Sequence, residues 1–262
     1  MPLSSTAASA SPIEQLIEKT FLFRGLDHDW LASYLTEDYV RTEKFFSSRT
    51  IYTAYKPGQP LELLFALISG GPVIVRSSPL DRVIAITYPG GCFGMRNLAV
   101  GYGTVRGAFP CAVEAYKTTQ VISIRMEVVH RLYQESELFR SRYDFLFEMR
   151  EKFEYHLLNC SAYPPQAVAS LLRALIYQER ELGSQPDPDG LYSFDLAIDI
   201  IARACQLNVR TVEQVLKGLI HIGVIVQLKD DHGSDILRVA DPETLKEIYA
   251  TTRDKVDWWP LR

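Results

Sequence analysis

Apolar positions recur at three- and four-residue steps early in the chain. Ile13, Leu16, Ile17 and Thr20/Phe21 share one face, which predicts a helix over residues 13–23 with Gly25 as its C-cap. A second short helix is predicted over 29–35. From residue 45 to about 124 the grammar changes. Runs rich in Val, Ile and Tyr at 50–55, 63–69, 72–76, 83–88, 111–115 and 119–124 alternate with turn formers. Lys56-Pro57-Gly58, Ser69-Gly70-Gly71 and Pro89-Gly90-Gly91 supply the turns. Strands so spaced, with no helices between them, predict an antiparallel sandwich or barrel such as a jelly roll.

The helical period returns at about residue 127 and predicts one long helix to about 159. Phe139, Tyr143, Leu146, Met149 or Arg150, Phe153 and Leu157 form a narrow apolar seam of the kind two coiled-coil helices share, so these positions are expected at a dimer interface. A helix packed on its own domain is the alternative. Pro164-Pro165 breaks the run. An amphipathic helix over 166–182 follows, through Val168, Leu171, Leu172, Leu175 and Ile176, and then a polar loop over 183–190.

Residues 194–225 read as two short helices around a tight turn. Leu196, Ile200 and Ile201 make the apolar face of the first, and Ala202 is small enough for close approach. Cys205-Gln206-Leu207-Asn208 is the break, with Asn208 as N-cap of the second helix. Val212, Val215, Leu216, Leu219 and Ile220 are its buried stripe, and Gly223 ends it. This is a helix-turn-helix pattern, whose second helix presents outward residues to a major groove. Arg210 suits guanine, Gln214 adenine and Val209 a thymine methyl, while Thr211 and Lys217 suit phosphates. Strands at 224–228 and 236–239 predict a wing with an acidic tip, Asp230-Asp231. The segment 241–262 adds a helix over 242–250 and then Trp258-Trp259, expected to dock on the chain's own surface, with a partner-binding hook as the alternative.

Composition moderates this picture. The chain has 262 residues and a net charge of −4, which does not advertise a nucleic-acid binder, although DNA contact needs only a local basic surface. Cys92, Cys111, Cys160 and Cys205 stand apart without metal-ligand spacing, so no metal or cofactor is predicted. No apolar run is long enough to span a membrane. Residues 1–12 lack a signal peptide's pattern and read as a disordered leader, and a cytoplasmic location is expected. A cupin-type enzyme would need clustered His, and residues 45–124 contain none. The chain is therefore not expected to be an enzyme.

The order of parts, and particular residues, resemble the CRP/FNR family of dimeric regulators. Ile51-Tyr52, Tyr55-Lys56-Pro57-Gly58-Gln59 and Leu64-Phe65-Ala66-Leu67-Ile68-Ser69-Gly70 resemble that family's early roll strands. Tyr88-Pro89-Gly90-Gly91-Cys92-Phe93-Gly94 resembles its turn before the effector segment, and Asn208-Val209-Arg210-Thr211-Val212 the start of its recognition helix. The resemblance implies an α+β architecture. A cyclic-nucleotide-binding-like β-roll covers 13–125, a dimerisation helix 126–160 and a winged helix-turn-helix domain 161–240, with a helix and tail over 241–262. Cyclic-AMP-binding members carry Glu where this chain has Met95, and Arg where Phe109 aligns, so cyclic AMP is not the expected ligand. Iron–sulfur members carry an N-terminal Cys cluster that is absent here. Gln206 replaces the usual turn Gly, and Val209 and Arg210 replace the family's Arg and Glu.

The expected function is that of a homodimeric, sequence-specific transcription regulator. Its partners would be double-stranded DNA and a second copy, with RNA polymerase as a further candidate. An unidentified small-molecule effector would meet Gly94, Met95, Arg96, Asn97, Arg106 and Tyr155. The alternative is a regulatory module that docks an effector or protein and does not touch DNA.

Overall fold

The computed structural model describes residues 10–47, 50–51, 62–77, 82–99, 111–158, 162–229, 235–251 and 258–259. Two helices open it, α1 (Pro12–Lys19) and α2 (His28–Tyr34). Ser11 and Glu14 make a reciprocal capping box that satisfies two otherwise orphaned N–H groups at the start of α1. The helix ends at Thr20, whose hydroxyl donates back to the Leu16 carbonyl at 2.6 Å, so it is shorter than its periodicity predicts.

Eight strands follow: β1 (Val40–Phe45), β2 (Thr50–Ile51), β3 (Leu63–Ser69), β4 (Val73–Ser77), β5 (Val83–Thr87), β6 (Cys92–Phe93), β7 (Cys111–Ala115) and β8 (Thr119–Arg125). They form two four-stranded sheets in the orders β1-β8-β3-β6 and β2-β7-β4-β5, and every pairing is antiparallel. This is the expected roll. Strand β1 lies outside the predicted run because its centre, Arg41-Thr42-Glu43-Lys44, is polar and faces outward. Pairing with β8, from Val40 opposite Ile124 to Phe45 opposite Thr119, makes it a strand.

The roll is filled between its sheets. Phe65 stacks on Phe93 with ring centroids 4.7 Å apart, and Phe45 leans on both. Leu67, Val73, Val75, Val113 and Val121 complete that core. The outer face of the β1-β8-β3-β6 sheet is covered by helices, with Leu64, Ala66, Ile122 and Ile124 meeting Leu16, Leu22 and Phe23.

The predicted long helix is two helices, α3 (Met126–Glu135) and α4 (Glu137–Leu158). Ser136 is extended between them. Its hydroxyl accepts from the Phe139 N–H at 3.2 Å and so starts α4, while Arg140 donates to the Tyr133 and Gln134 carbonyls that α3 leaves unpaired. Sequence period alone hides this break, because an apolar stripe continues through it.

The next helix, α5 (Pro164–Leu182), begins on the two prolines rather than after them. A helix's first turn needs no N–H bonds, so proline is favoured there. A three-stranded antiparallel sheet, order β10-β11-β9, is built from β9 (Tyr192–Phe194), β10 (Ile225–Lys229) and β11 (Asp235–Val239). It frames α6 (Ile198–Cys205) and α7 (Val209–His221), and α8 (Pro242–Ala250) packs on α5. The tip of the predicted wing, 230–234, lies outside the described residues, as do residues 1–9 of the predicted leader and the Lys56-Pro57-Gly58 turn, whereas Ser11 and Pro12 at the leader's end cap and begin α1.

The C-terminal helices share one core with the roll. Ile74, Val83 and Ile86 project from the β2-β7-β4-β5 sheet into the cluster that holds Phe153, Leu157, Leu172, Ile200, Val212 and Leu216. Polar contacts edge that junction. Lys117 pairs with Asp195 at 2.5 Å, Arg203 with Glu114 at 3.4 Å, and the Tyr88 hydroxyl donates to the Asp195 carbonyl at 3.1 Å. No helix among the described residues is long and apolar enough to cross a membrane.

Candidate nucleic-acid interface and effector segment

The helix-turn-helix turns on Gln206. It is the only non-glycine residue with positive φ among the described residues, at φ 55° and ψ 38°. A side chain in that left-handed region is strained, which is why glycine is usual there. Ala202, Cys205 and Val212 on either side of the turn are buried in one core cluster, which holds α6 against α7.

Asn208 then caps α7 as its chemistry predicts, its Oδ1 accepting from the Thr211 N–H at 2.8 Å. Val212, Val215, Leu216 and Leu219 are buried. On the other side Val209, Arg210, Glu213, Lys217 and His221 are exposed, while Thr211 and Gln214 are half-buried. The predicted DNA-facing residues thus lie on one helix and its cap, with Val209, Arg210 and Lys217 exposed and Thr211 and Gln214 half-buried toward a flank. Glu213 also stands on the exposed side, a carboxylate that periodicity alone left unmentioned. On a DNA-facing surface it would accept from a cytosine amino group.

The predicted effector segment is brought together only in part. Gly94 takes φ +85°, and a Cβ there would stand 2.6 Å from the Leu63 carbonyl oxygen, so a close backbone approach requires glycine. Met95 and Arg96 are 2% and 5% exposed. Two side chains of α4 hold their backbone. Tyr143 Oη accepts from the Arg96 N–H at 3.1 Å and donates to its carbonyl at 2.9 Å, and Arg150 donates to the Met95 carbonyl at 2.9 Å. Asn97 is exposed and accepts from the Ala99 N–H. Tyr155 is 66% exposed on the solvent side of α4, apart from the bonds that hold Met95 and Arg96. Arg106 and Phe109 lie outside the described residues.

The crevice beside Met95 is lined by Cys92, Leu146, Met149, Arg150, Glu179 and Leu182 and encloses about 40 Å³. Burial pushes the Cys92 thiol up to about 12 and also raises the Glu179 carboxyl. That volume is on the scale of one water molecule, well below the several hundred cubic ångströms of a typical ligand pocket. No group of three metal-ligating side chains occurs among the described residues.

The predicted dimer seam is corrected. Phe139, Tyr143, Leu146, Met149, Phe153 and Leu157 are 0, 0, 4, 8, 2 and 4% exposed within a single chain. Side chains already buried by their own chain have no surface left for a partner. The seam instead fastens α4 to the roll and to α5. What α4 shows to solvent includes Leu138 and Tyr155, at 44 and 66% exposed, with Phe145 half-buried against Phe21. The anchoring roles of Tyr143 and Arg150 escape periodicity, because a seam pattern treats both positions as apolar filler.

No protein-family model matches the sequence, and no curated protein does. The fold is nevertheless shared widely among solved structures. FixK2 from Bradyrhizobium japonicum superposes with a TM-score of 0.59 at 14% identity, covering 81% of this chain and 98% of that one. A CooA variant from Carboxydothermus hydrogenoformans gives 0.55 at 17%, covering 84% and 94%. A CRP-family transcriptional regulator from Thermus thermophilus gives 0.51 at 19%, covering 80% and 97%. At these identities the likeness establishes the fold alone, an antiparallel β-roll followed by a winged helix-turn-helix.

Proposed function

We propose that the chain is a sequence-specific DNA-binding transcription regulator that acts as a homodimer. The observation that carries this reading is the exposed side of α7, with Arg210 and Lys217 both exposed on a capped helix of a winged helix-turn-helix, in a fold that a CRP-family transcriptional regulator shares. Arg210, Gln214 and Val209 read bases, and Thr211 and Lys217 hold phosphates. A two-fold pair places its two recognition helices about 34 Å apart, so the site is a near-palindrome with half-sites one helical turn apart. The pair forms through the solvent side of α4, where Leu138, Phe145 and Tyr155 recur at heptad-like steps. RNA polymerase is a candidate partner of the DNA-bound form.

Cyclic AMP is not the signal on this reading. Met95 offers no carboxylate to a ribose, and the adjoining crevice of about 40 Å³ does not hold a nucleotide. An effector, if one acts, works by favouring the dimer geometry that spaces the helices correctly.

Selection of bound duplexes from random DNA tests the reading. A palindromic motif should be enriched, and Arg210→Ala should weaken the selected site about ten- to a hundredfold with relaxed preference at one base pair. Lys217→Ala should instead weaken all duplexes and lower the salt slope by about 1. If no motif is enriched and binding shows no salt dependence, the chain is a regulatory module that does not read DNA.

A further inference from the structure

Gly218 is the tenth of the thirteen residues of α7, at the start of its last turn, and glycine is the poorest helix former after proline. It is buried, yet it lies four residues after Gln214 and seven after Thr211, on the flank of the reading side rather than in the stripe of Val212, Val215, Leu216 and Leu219. What buries it is Trp258. A Cβ built on Gly218 would fall 2.2 Å from Cε3, 2.5 Å from Cζ3 and 3.1 Å from Cδ2 of that indole. The ring fills the volume a side chain at 218 would take.

The contact continues inward. Trp258 meets Trp259 edge to face, with centroids 6.5 Å apart at 83°, and both rings pack against the core that α5, α7 and α8 share. The indole does not cover the reading side, because Val209, Arg210 and Lys217 remain exposed. Its position is that of a buttress.

We propose that Trp258 is a positioning residue for the recognition helix. Seated in the Gly218 notch, its indole fixes the rotation of α7 about its own axis and so sets where Arg210 and Gln214 point. This rests on the DNA-reading assignment above. Helix propensity alone predicts that Gly218→Ala strengthens α7, and the notch predicts the opposite.

The test compares the full chain with Trp258→Ala, Trp258→Phe, Gly218→Ala and the Gly218→Ala/Trp258→Ala double variant. Each is measured for hydrogen exchange of the α7 amides and for affinity to the selected duplex and to a scrambled duplex. Trp258→Ala should lose about tenfold for the selected duplex and less than about twofold for the scrambled one, which phosphate contacts alone hold. Trp258→Phe should recover most of the loss. Gly218→Ala should match Trp258→Ala, and the double variant should be little worse than either, as coupled sites require. Equal losses on both duplexes, or additive losses, overturn the proposal and leave a merely structural contact. Should Trp258→Ala fail to fold, Trp258→Phe and Gly218→Ala carry the same comparison. If the parent chain selects no DNA, the functional reading falls. The buttress is then judged by exchange, where faster and non-additive opening of α7 supports it and unchanged exchange overturns it.

Discussion

The hydroxyl of Tyr143 joins both backbone polar groups of Arg96, accepting from its N–H at 3.1 Å and donating to its carbonyl at 2.9 Å. Tyr143 is fully buried in α4, and Arg96 follows the tight backbone approach at Gly94. One oxygen thus ties the segment after β6 to the long helix.

Removing that oxygen takes away both of these buried hydrogen bonds to the Arg96 backbone. Tyr143→Phe should therefore cost about 1–3 kcal/mol in denaturant unfolding with little change in m-value. Hydrogen exchange should speed up at residues 95–97 more than in the β3–β8 pair. A loss confined to global stability, with no local opening, would show that the bond does not anchor this segment.

Gln206 holds a conformation that glycine adopts without strain. Gln206→Gly should stabilise the protein by up to about 1 kcal/mol, the relief of left-handed strain offset in part by greater unfolded-state entropy. Gln206→Val, β-branched at the same φ, should destabilise it by more than that gain. Thermal midpoints of the two variants check both signs. If Gln206→Gly is destabilising, the Gln side chain makes a contact that outweighs the strain.

His130 titrates below the ordinary histidine value, first because burial disfavours its charged form and then because the Arg96 guanidinium repels it. The native state therefore binds fewer protons than the unfolded state between the two values. Its contribution to stability is present above the unfolded value near 6.5 and falls as pH drops through that window. NMR titration of the ring should give a midpoint under about 6.5. His130→Gln should remove the corresponding slope in stability as pH falls below about 6.5. A midpoint at or above the ordinary value would contradict the packing around the ring.

The dimer reading has its own test. Leu138→Glu with Tyr155→Glu should convert the chain to monomer in sedimentation analysis while leaving its thermal midpoint nearly unchanged, because both side chains are exposed in the single chain. Phe139→Ala, by contrast, should cost about 3–5 kcal/mol by opening the core. Should the double variant remain dimeric, another surface joins the two copies.

Much of the architecture was legible from period and punctuation. The strand runs around Leu63, Val73, Val83 and Thr119 stand where alternation and Gly/Pro turns placed them. Asn208, Val209 and Gly223 marked the ends of the reading helix because capping is a local property. What period could not supply was depth. Phe139 and Leu157 look alike on a dimer seam and in a core, and only tertiary packing decided between them. Strand β1 was hidden by its polar centre, and the break at Ser136 by an unbroken apolar stripe. Within the candidate site, Arg150 was read as a filler beside Met149, whereas its guanidinium anchors Met95 across a separation in sequence that no local pattern encodes. Docking of Trp258 and Trp259 on the chain's own surface was expected from the sequence, whereas the notch at Gly218 that receives the indole was not, because no local pattern links positions forty residues apart.

Ile74, Val83 and Ile86 of the roll share a cluster with Ile200, Val212 and Leu216 of the reading helices. That makes the C-terminal winged domain a poor detachable module. A fragment excised after Leu158 would carry half of a common apolar surface into water, and such a surface invites self-association. Heat should part the roll and this domain in one cooperative step rather than two. Across evolutionary time the outer face of β4 and β5 is bound to drift in concert with α6 and α7, so swapping this domain between proteins of the same fold would demand that this face travel with it.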